Sequence, residues 1–283
     1  MAAYKNPLAM PEDTPVIRYL SLAAVTDVLR DRKLRLTLVD HLRQTCDPFE
    51  GSVPKAEIDK QVVIFSGAYS NMMQQIAPHY PGTNFRPPPH NNLDPWTRVK
   101  RIRLAKALSA HVSCWMWGDE SEGMWRLYCN DESIRGRGVA LQTTLGALKK
   151  SVAPFDLIVC PITYLHYHEA GGAGFDHELD PFMHKRKGFE HERELRVLKF
   201  DDEHFTKLLK AVAGEDLSAA GALANHINLD WDTTSTIERI IVGPYADDSY
   251  ENAVRHAVEN ADPSMATKVE RSVLDPRRYE PQF

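Results

Sequence analysis

The feature that most constrains the fold is the way the apolar period switches along the chain. Segments with a period of two read as strands: VIRYL (Val16 to Leu20), KLRLTLV with Leu34, Leu36 and Leu38 on one face, HVSCWMWG, VALQTT, FDLIVCPITYL and IERIIVGP. Between them lie segments of helical period. Ser21 caps a helix through Ala24, Val25, Val28 and Leu29, and Asp119 or Ser121 starts another in DESEGMWRLYC. LGALKKSV, DEHFTKLLKAVAG, SAAGALANHIN and DDSYENAVRHAVEN (capped by Asp248 or Ser249) continue the helical series. The two periods do not alternate one for one. That irregularity argues against a doubly wound parallel sheet and predicts an α+β fold, a mixed, largely antiparallel sheet flanked by helices.

Residues 1–283 are expected to form one such domain, with irregular termini at 1–15 and 272–283. CDPFEG is a turn, and FRPPPHNNLDP and HEAGGAGFDHELDP are loops; KQVVIFSGAYSNMM fits helix and strand equally. Trp96 to Leu108 predicts a basic amphipathic helix. Val99, Ile102, Ala105 and Leu108 point inward; Arg98, Lys100, Arg101, Arg103 and Lys106 form a solvated face or a phosphate-facing patch.

A net charge of -5 offers no general attraction to nucleic acid or an anionic membrane. Hydrophobic residues at 43% and charged residues at 26% suit a globular chain with a real core. Four cysteines without a CxxC pair suggest neither a zinc site nor a disulfide framework. The first residues lack the basic-then-apolar order of a secretory signal, and no apolar run reaches the roughly 18 residues of a membrane span. A cytoplasmic setting is therefore expected.

The most pointed local question is FEHERELRVL, Phe189 to Leu198. As a helix it would stack Glu190 on Glu194 unfavourably and Glu192 on Arg196 favourably, a few tenths of a kcal/mol each way. Leu195 and Val197 share a parity, which favours a strand with Glu190, Glu192, Glu194 and Arg196 on its other face. Those glutamates then either keep a sheet face soluble or present a carboxylate to a site.

SCWMWGDESEGMWRLY places Trp115, Trp117, Trp125 and Tyr128 close together, as a core corner or as an aromatic wall for a flat ligand. Arg18, beside Tyr19 on the first strand, is either salt-bridged or a phosphate clamp. HKRKG, with Lys185 and Arg186, is a charged loop before the glutamates. His166 and His168 share a strand parity, but no carboxylate stands at ligand spacing from them, so metal is not favoured.

Laid out in this order, VIRYLS, DPFEG, CWMWGDESEGMWRLY with GRGVAL, HKRKGFEHERELRVL and IERIIVGP resemble a mostly bacterial family catalogued as domain of unknown function 2971. The likeness covers most of Val16 to Pro244 and brings no activity with it. The element order is also similar to the ADP-ribosyltransferase plan, in which a first strand bears a basic residue and a late strand bears a catalytic glutamate. This resemblance implies a split sheet, NAD as the nucleotide-like ligand, no metal, and Glu192 or Glu194 as catalytic residue. It further implies Arg18 on the dinucleotide phosphates, with Tyr19, Trp115, Trp117, Trp125, Tyr128, Arg186 and Arg196 around the cofactor. Two alternatives stand beside it. One is a metal-dependent nuclease using Glu190, Glu192 and Glu194 with Lys185 or Arg186 at phosphate. The other is a non-catalytic sensor or interaction domain associated with bacterial defence. Nucleic acid as a partner and the oligomeric state stay open.

Overall fold

Alternation at Pro15–Leu20 builds β1, and Ser21 then caps α1 (Leu22–Asp31), its hydroxyl accepting from the Ala24 amide at 3.2 Å. Such a cap satisfies one of the amides that a helix start leaves unpaired. Arg32, left-handed at φ 51°, turns the chain into β2 (Lys33–Leu38), whose three leucines are buried as their shared parity requires. α2 (Val39–Thr45) leads into the Asp47 to Gly51 turn, and α3 (Lys55–Ile76) takes the segment that fitted helix and strand equally. α4 (Pro95–Ala107) starts with Pro95 behind an Asp94 cap, the position where proline's missing amide costs nothing.

β3 (Ala110–Trp117) is followed by α5 (Glu122–Tyr128), whose cap is Ser121. Then come β4 (Asn130–Asp131), β5 (Ile134–Arg135), β6 (Val139–Thr144), α6 (Leu145–Val152) and β7 (Ile158–Pro161). The later elements are β8 (Thr163–Leu165), β9 (His184–Arg186), β10 (Glu194–Phe200), α7 (Asp202–Ala213), β11 (His226–Asp230) and α8 (Thr233–Thr236). β12 (Arg239–Val242), α9 (Asp248–Ala261) and β13 (Val269–Arg271) complete the order. This computed structural model describes residues 10–76, 94–131, 134–135, 138–168, 175, 177–213 and 222–279.

Nine of these strands form one sheet in the order β11-β2-β3-β1-β6-β12-β13, with β10 on β3 and β7 on β10. Its pairs are antiparallel except β12 with β13, so the α+β expectation holds. β3 is the hinge of the arrangement. Along one edge β10 pairs with its whole length; along the other, β2 pairs at Val112 and His111 and β1 at Met116 and Trp117. β1 and β2 therefore part beside Cys114, and the sheet is forked there.

The main core joins Leu195 and Val197 of β10 to Trp115, Leu34, Leu36, Val139, Ile240 and Val254, each almost fully buried. Burying a leucine or valine in this way contributes about 1.5–3 kcal/mol. On the opposite face a second cluster packs Ile17, Tyr19, Met116, Met124 and Trp125.

Several expectations change. FDLIVCPITYL is two strands: β7 stays in the main sheet, and after Pro161 the chain leaves it so that β8 pairs with β9. His166 and His168 lie beyond the end of β8 and share no strand parity. The end of SAAGALANHIN is extended, because β11 pairs with β2. The cap of α9 is Asp247, one residue before the two expected. Arg103 turns inward: burial pushes its guanidinium down to about 10, and Nη2 donates to the Gly51 carbonyl at 3.3 Å. Most of FRPPPHNNLDP and the Gly171 to Gly174 stretch lie outside the described residues.

Candidate functional site

The largest change is at FEHERELRVL. Lys187–Glu192 form a 3₁₀ turn, Arg193 adopts the left-handed conformation at φ 41°, and β10 starts only at Glu194. The expected four-residue acidic face is therefore broken. Glu190 is exposed and pairs with Lys187 at 2.5 Å; Glu192 is buried in the turn; of the four, only Glu194 and Arg196 share the strand face. Arg193 is what shifts the register. Its carbonyl accepts from the Trp117 amide at 2.9 Å, and Nη2 donates to the Asp119 carbonyl at 2.7 Å. Gly118, at φ +90°, admits this side chain, since a Cβ there would meet Nη1 at 2.9 Å.

Strand pairing now builds the site. Glu194 stands opposite Met116 and Arg196 opposite Cys114, so these four share the face away from Leu195 and Trp115. Arg196 is fully buried and saturated: Nε donates to Glu194 Oε1 at 2.6 Å, Nη1 and Nη2 donate to Glu50 at 2.6 and 3.0 Å, and Nη1 also reaches the Phe182 carbonyl at 2.7 Å. Lys185 Nζ bridges Glu194 Oε2 at 2.8 Å and Glu192 Oε2 at 2.6 Å. Three carboxylates thus meet two cations, a net charge of −1 in one buried chain running Glu50, Arg196, Glu194, Lys185, Glu192.

Burial alone would push the Glu194 carboxyl up, but Arg196 and Lys185 outweigh it and hold it down to about 2. Burial likewise opposes the charge on Lys185, and the Glu194 and Glu192 carboxylates overcome it, so the ammonium is held above its ordinary range. Cys114 is the opposite case: burial, then Glu194, push its thiol well up, which keeps it protonated and a poor nucleophile.

A cavity of about 410 Å³ opens at the fork between β1 and β2. Arg18, Tyr19, Trp115, Tyr128, Glu192, Glu194 and Arg196 all line it, so seven of the ten residues picked from sequence converge. Trp117, Trp125 and Arg186 do not. Trp125 is a core residue, edge-on to Tyr19 at 4.8 Å with its indole N–H on Glu120 Oε2 at 3.2 Å. Trp117 packs against the main core beneath the Arg193 guanidinium, 5.8 Å from its ring. Arg186 pairs with Asp47 at 2.9 Å and stacks over Phe49 at 4.2 Å, outside the cavity wall.

Sequence reasoning missed Glu50, Met116, Cys114 and Phe189, which also line the cavity, and gave Lys185 a different part. The signal for Glu50 was its place at the end of the DPFEG turn, an acidic side chain with no local partner.

Arg18 differs from the other cations on the cavity. Lys185 and Arg196 are each held by two carboxylates; among the described residues Arg18 has none. Its contacts are the Arg35 carbonyl at 3.4 Å, across the fork, and the face of Trp115 at 5.9 Å. Burial pushes its guanidinium down to about 10. Arg18 is half-buried, and a partly desolvated cation without a counter-ion carries a cost that an entering anion reduces.

Glu192 is the complementary group. Among the described residues only its Oε2 is engaged, by Lys185, and Glu192 lines the cavity. Glu194, by contrast, has both oxygens occupied. The cavity can therefore take an anion at Arg18 and a hydrogen-bond donor at Glu192, with Trp115, Tyr19 and Tyr128 supplying apolar and aromatic surface. No protein-family model, curated protein or solved structure matches this chain. Among the described residues no helix is long and apolar enough to cross a membrane, and no cluster of histidine, cysteine and acidic side chains is arranged to hold a metal ion.

Proposed function

We propose that the chain is an NAD-using enzyme of the ADP-ribosyl transferase or NAD-glycohydrolase type. The observation that supports this most is that one cavity is lined by Arg18, a guanidinium with no carboxylate partner among the described residues, and by Glu192, whose Oε2 alone is engaged there. The volume lies within the range of small-molecule sites, about 300–1,000 Å³. In this reading Arg18 takes a phosphate, and a ribose hydroxyl donates to Glu192 Oε1. The bond from ribose C1′ to nicotinamide breaks, and nicotinamide leaves with the electron pair. Water or an acceptor nucleophile then adds to the ribosyl cation and gives its proton to solvent. Glu192 stabilises the developing positive charge, an electrostatic contribution that counts most where water is excluded. Glu194, saturated by Arg196 and Lys185, supports Glu192 without touching the ribose.

The nuclease alternative needs three carboxylates around one divalent ion. Glu190 faces solvent with Lys187, and Glu192 and Glu194 already share a lysine, so the geometry favours the first reading. A non-catalytic sensor would use the Arg18 contact without any bond cleavage. Calorimetric titration of NAD into wild type and Arg18→Met, with nicotinamide release followed in parallel, separates these. Binding weakened about 10- to 100-fold in Arg18→Met matches the loss of a charged hydrogen bond. Binding without cleavage leaves the sensor; neither binding nor cleavage by wild type removes the enzyme.

A further inference from the structure

The chain of buried charges ends asymmetrically, and the asymmetry assigns a part to Lys185. Its inner links are over-determined. Glu50 and the Phe182 carbonyl hold Arg196, and Arg196 holds Glu194. Lys185 is placed by backbone as well as by charge: β9 pairs with β8, with Lys185 opposite Tyr164, and the Tyr164 hydroxyl accepts from the Glu194 amide at 2.7 Å. Phe189 covers the Lys185 ammonium at 5.1 Å.

Glu192 belongs to no strand pairing among the described residues. It ends a 3₁₀ turn just before the left-handed Arg193, and a glutamate has three side-chain torsions to fix. Among the described residues the Lys185 ammonium is the sole donor to its carboxylate. That contact takes Oε2, and Glu192 itself lines the cavity.

We infer that Lys185 is the positioning residue that orients Glu192, carrying the rigidity of the Glu50, Arg196 and Glu194 cluster out to this carboxylate on the cavity wall. The inference rests on the part given to Glu192 above. It deepens that part, because a carboxylate that must meet a particular hydroxyl works only when it is held in place.

Crystal structures of Lys185→Gln and Lys185→Arg test the geometry without any turnover. In Lys185→Gln, Glu192 leaves its orientation while the Arg196 contacts to Glu194 and Glu50 persist. In Lys185→Arg the buried charge is kept but the donor moves, and Glu192 follows it. A Glu192 that keeps its wild-type position in either variant overturns the inference.

Turnover supplies a second readout. Lys185→Gln lowers kcat for nicotinamide release tenfold or more with KM for NAD within about twofold, and adds nothing in a Glu192→Gln background. An equal further loss in that background overturns the inference, since Lys185 would then act by some other route. If wild type does not cleave NAD at all, the proposed function fails, and the crystal structures alone decide whether Lys185 positions Glu192.

Discussion

Arg196 and Glu50, 146 residues apart in sequence, meet through two side-by-side hydrogen bonds of 2.6 and 3.0 Å with both side chains buried. The contact ties the Asp47 to Gly51 turn to β10 and fixes the floor of the cavity. Removing one partner of such a pair leaves an uncompensated buried charge, typically at a cost of about 3–5 kcal/mol. Glu50→Ala is expected to lose about that much in urea denaturation. Replacing both with apolar residues of similar volume, Glu50→Leu with Arg196→Met, is expected to recover much of it.

Glu194 makes stability depend on acid. Its folded-state carboxyl is held at about 2, below the ordinary value of 4.5, because Arg196 and Lys185 outweigh the opposing effect of burial. The unfolded chain therefore binds the proton first as pH falls. The stabilisation is complete above the unfolded value and drains away between about pH 5 and pH 2. Urea midpoints measured across this window should fall with pH in wild type and more shallowly in Glu194→Gln.

Arg18 should behave in the opposite sense from Arg196. It is half-buried with no carboxylate partner among the described residues, so Arg18→Met removes a desolvation cost and fills the same space with an apolar stem. The variant is expected to melt at or above the wild-type temperature. The same variant should lose the rise in melting temperature that an NAD or AMP addition gives wild type. A variant that melts well below wild type would show Arg18 to be a structural cation.

Glu120 fastens the described part of the tail. Its Oε1 accepts from the Val273 amide at 3.1 Å, and its Oε2 accepts from the Trp125 indole and the Ser272 hydroxyl. In Glu120→Ala these donors lose their acceptor, a cost of about 1–3 kcal/mol for buried groups. Trypsin should then cleave at Arg277 and Arg278 faster than in wild type, because local opening sets access to the protease.

How much of this was legible in the sequence depends on range. The strands β1, β2, β3 and β6 and the caps at Ser21 and Ser121 follow from local period and local hydrogen bonding, and they stand as read. Leu195 and Val197 correctly marked the face of β10 that enters the main core, though the opposite face, with Glu194 and Arg196, is buried as well. The same alternation was carried back through Glu190 and Glu192, where it fails. Nothing in the run EHER announces that Arg193 turns left-handed; Gly118, 75 residues away by number, makes room for it. The partners of the glutamates were hidden for a related reason. Glu50 comes in on a turn 146 residues from Arg196 and Lys185 on the separate β8–β9 pair, so no local period in the chain encodes them. Aromatic clustering was also a blunt guide, since Trp115, a core residue, lines the cavity and Trp125, on the next element, does not.

The central claim is that Glu192, not the saturated Glu194, acts on a ligand held by Arg18. Its most direct test is nicotinamide release by wild type and Glu192→Gln at matched NAD occupancy. The account predicts a kcat about 100-fold lower or more in Glu192→Gln, with NAD affinity and melting temperature close to wild type. Release at the wild-type rate by folded Glu192→Gln would contradict it.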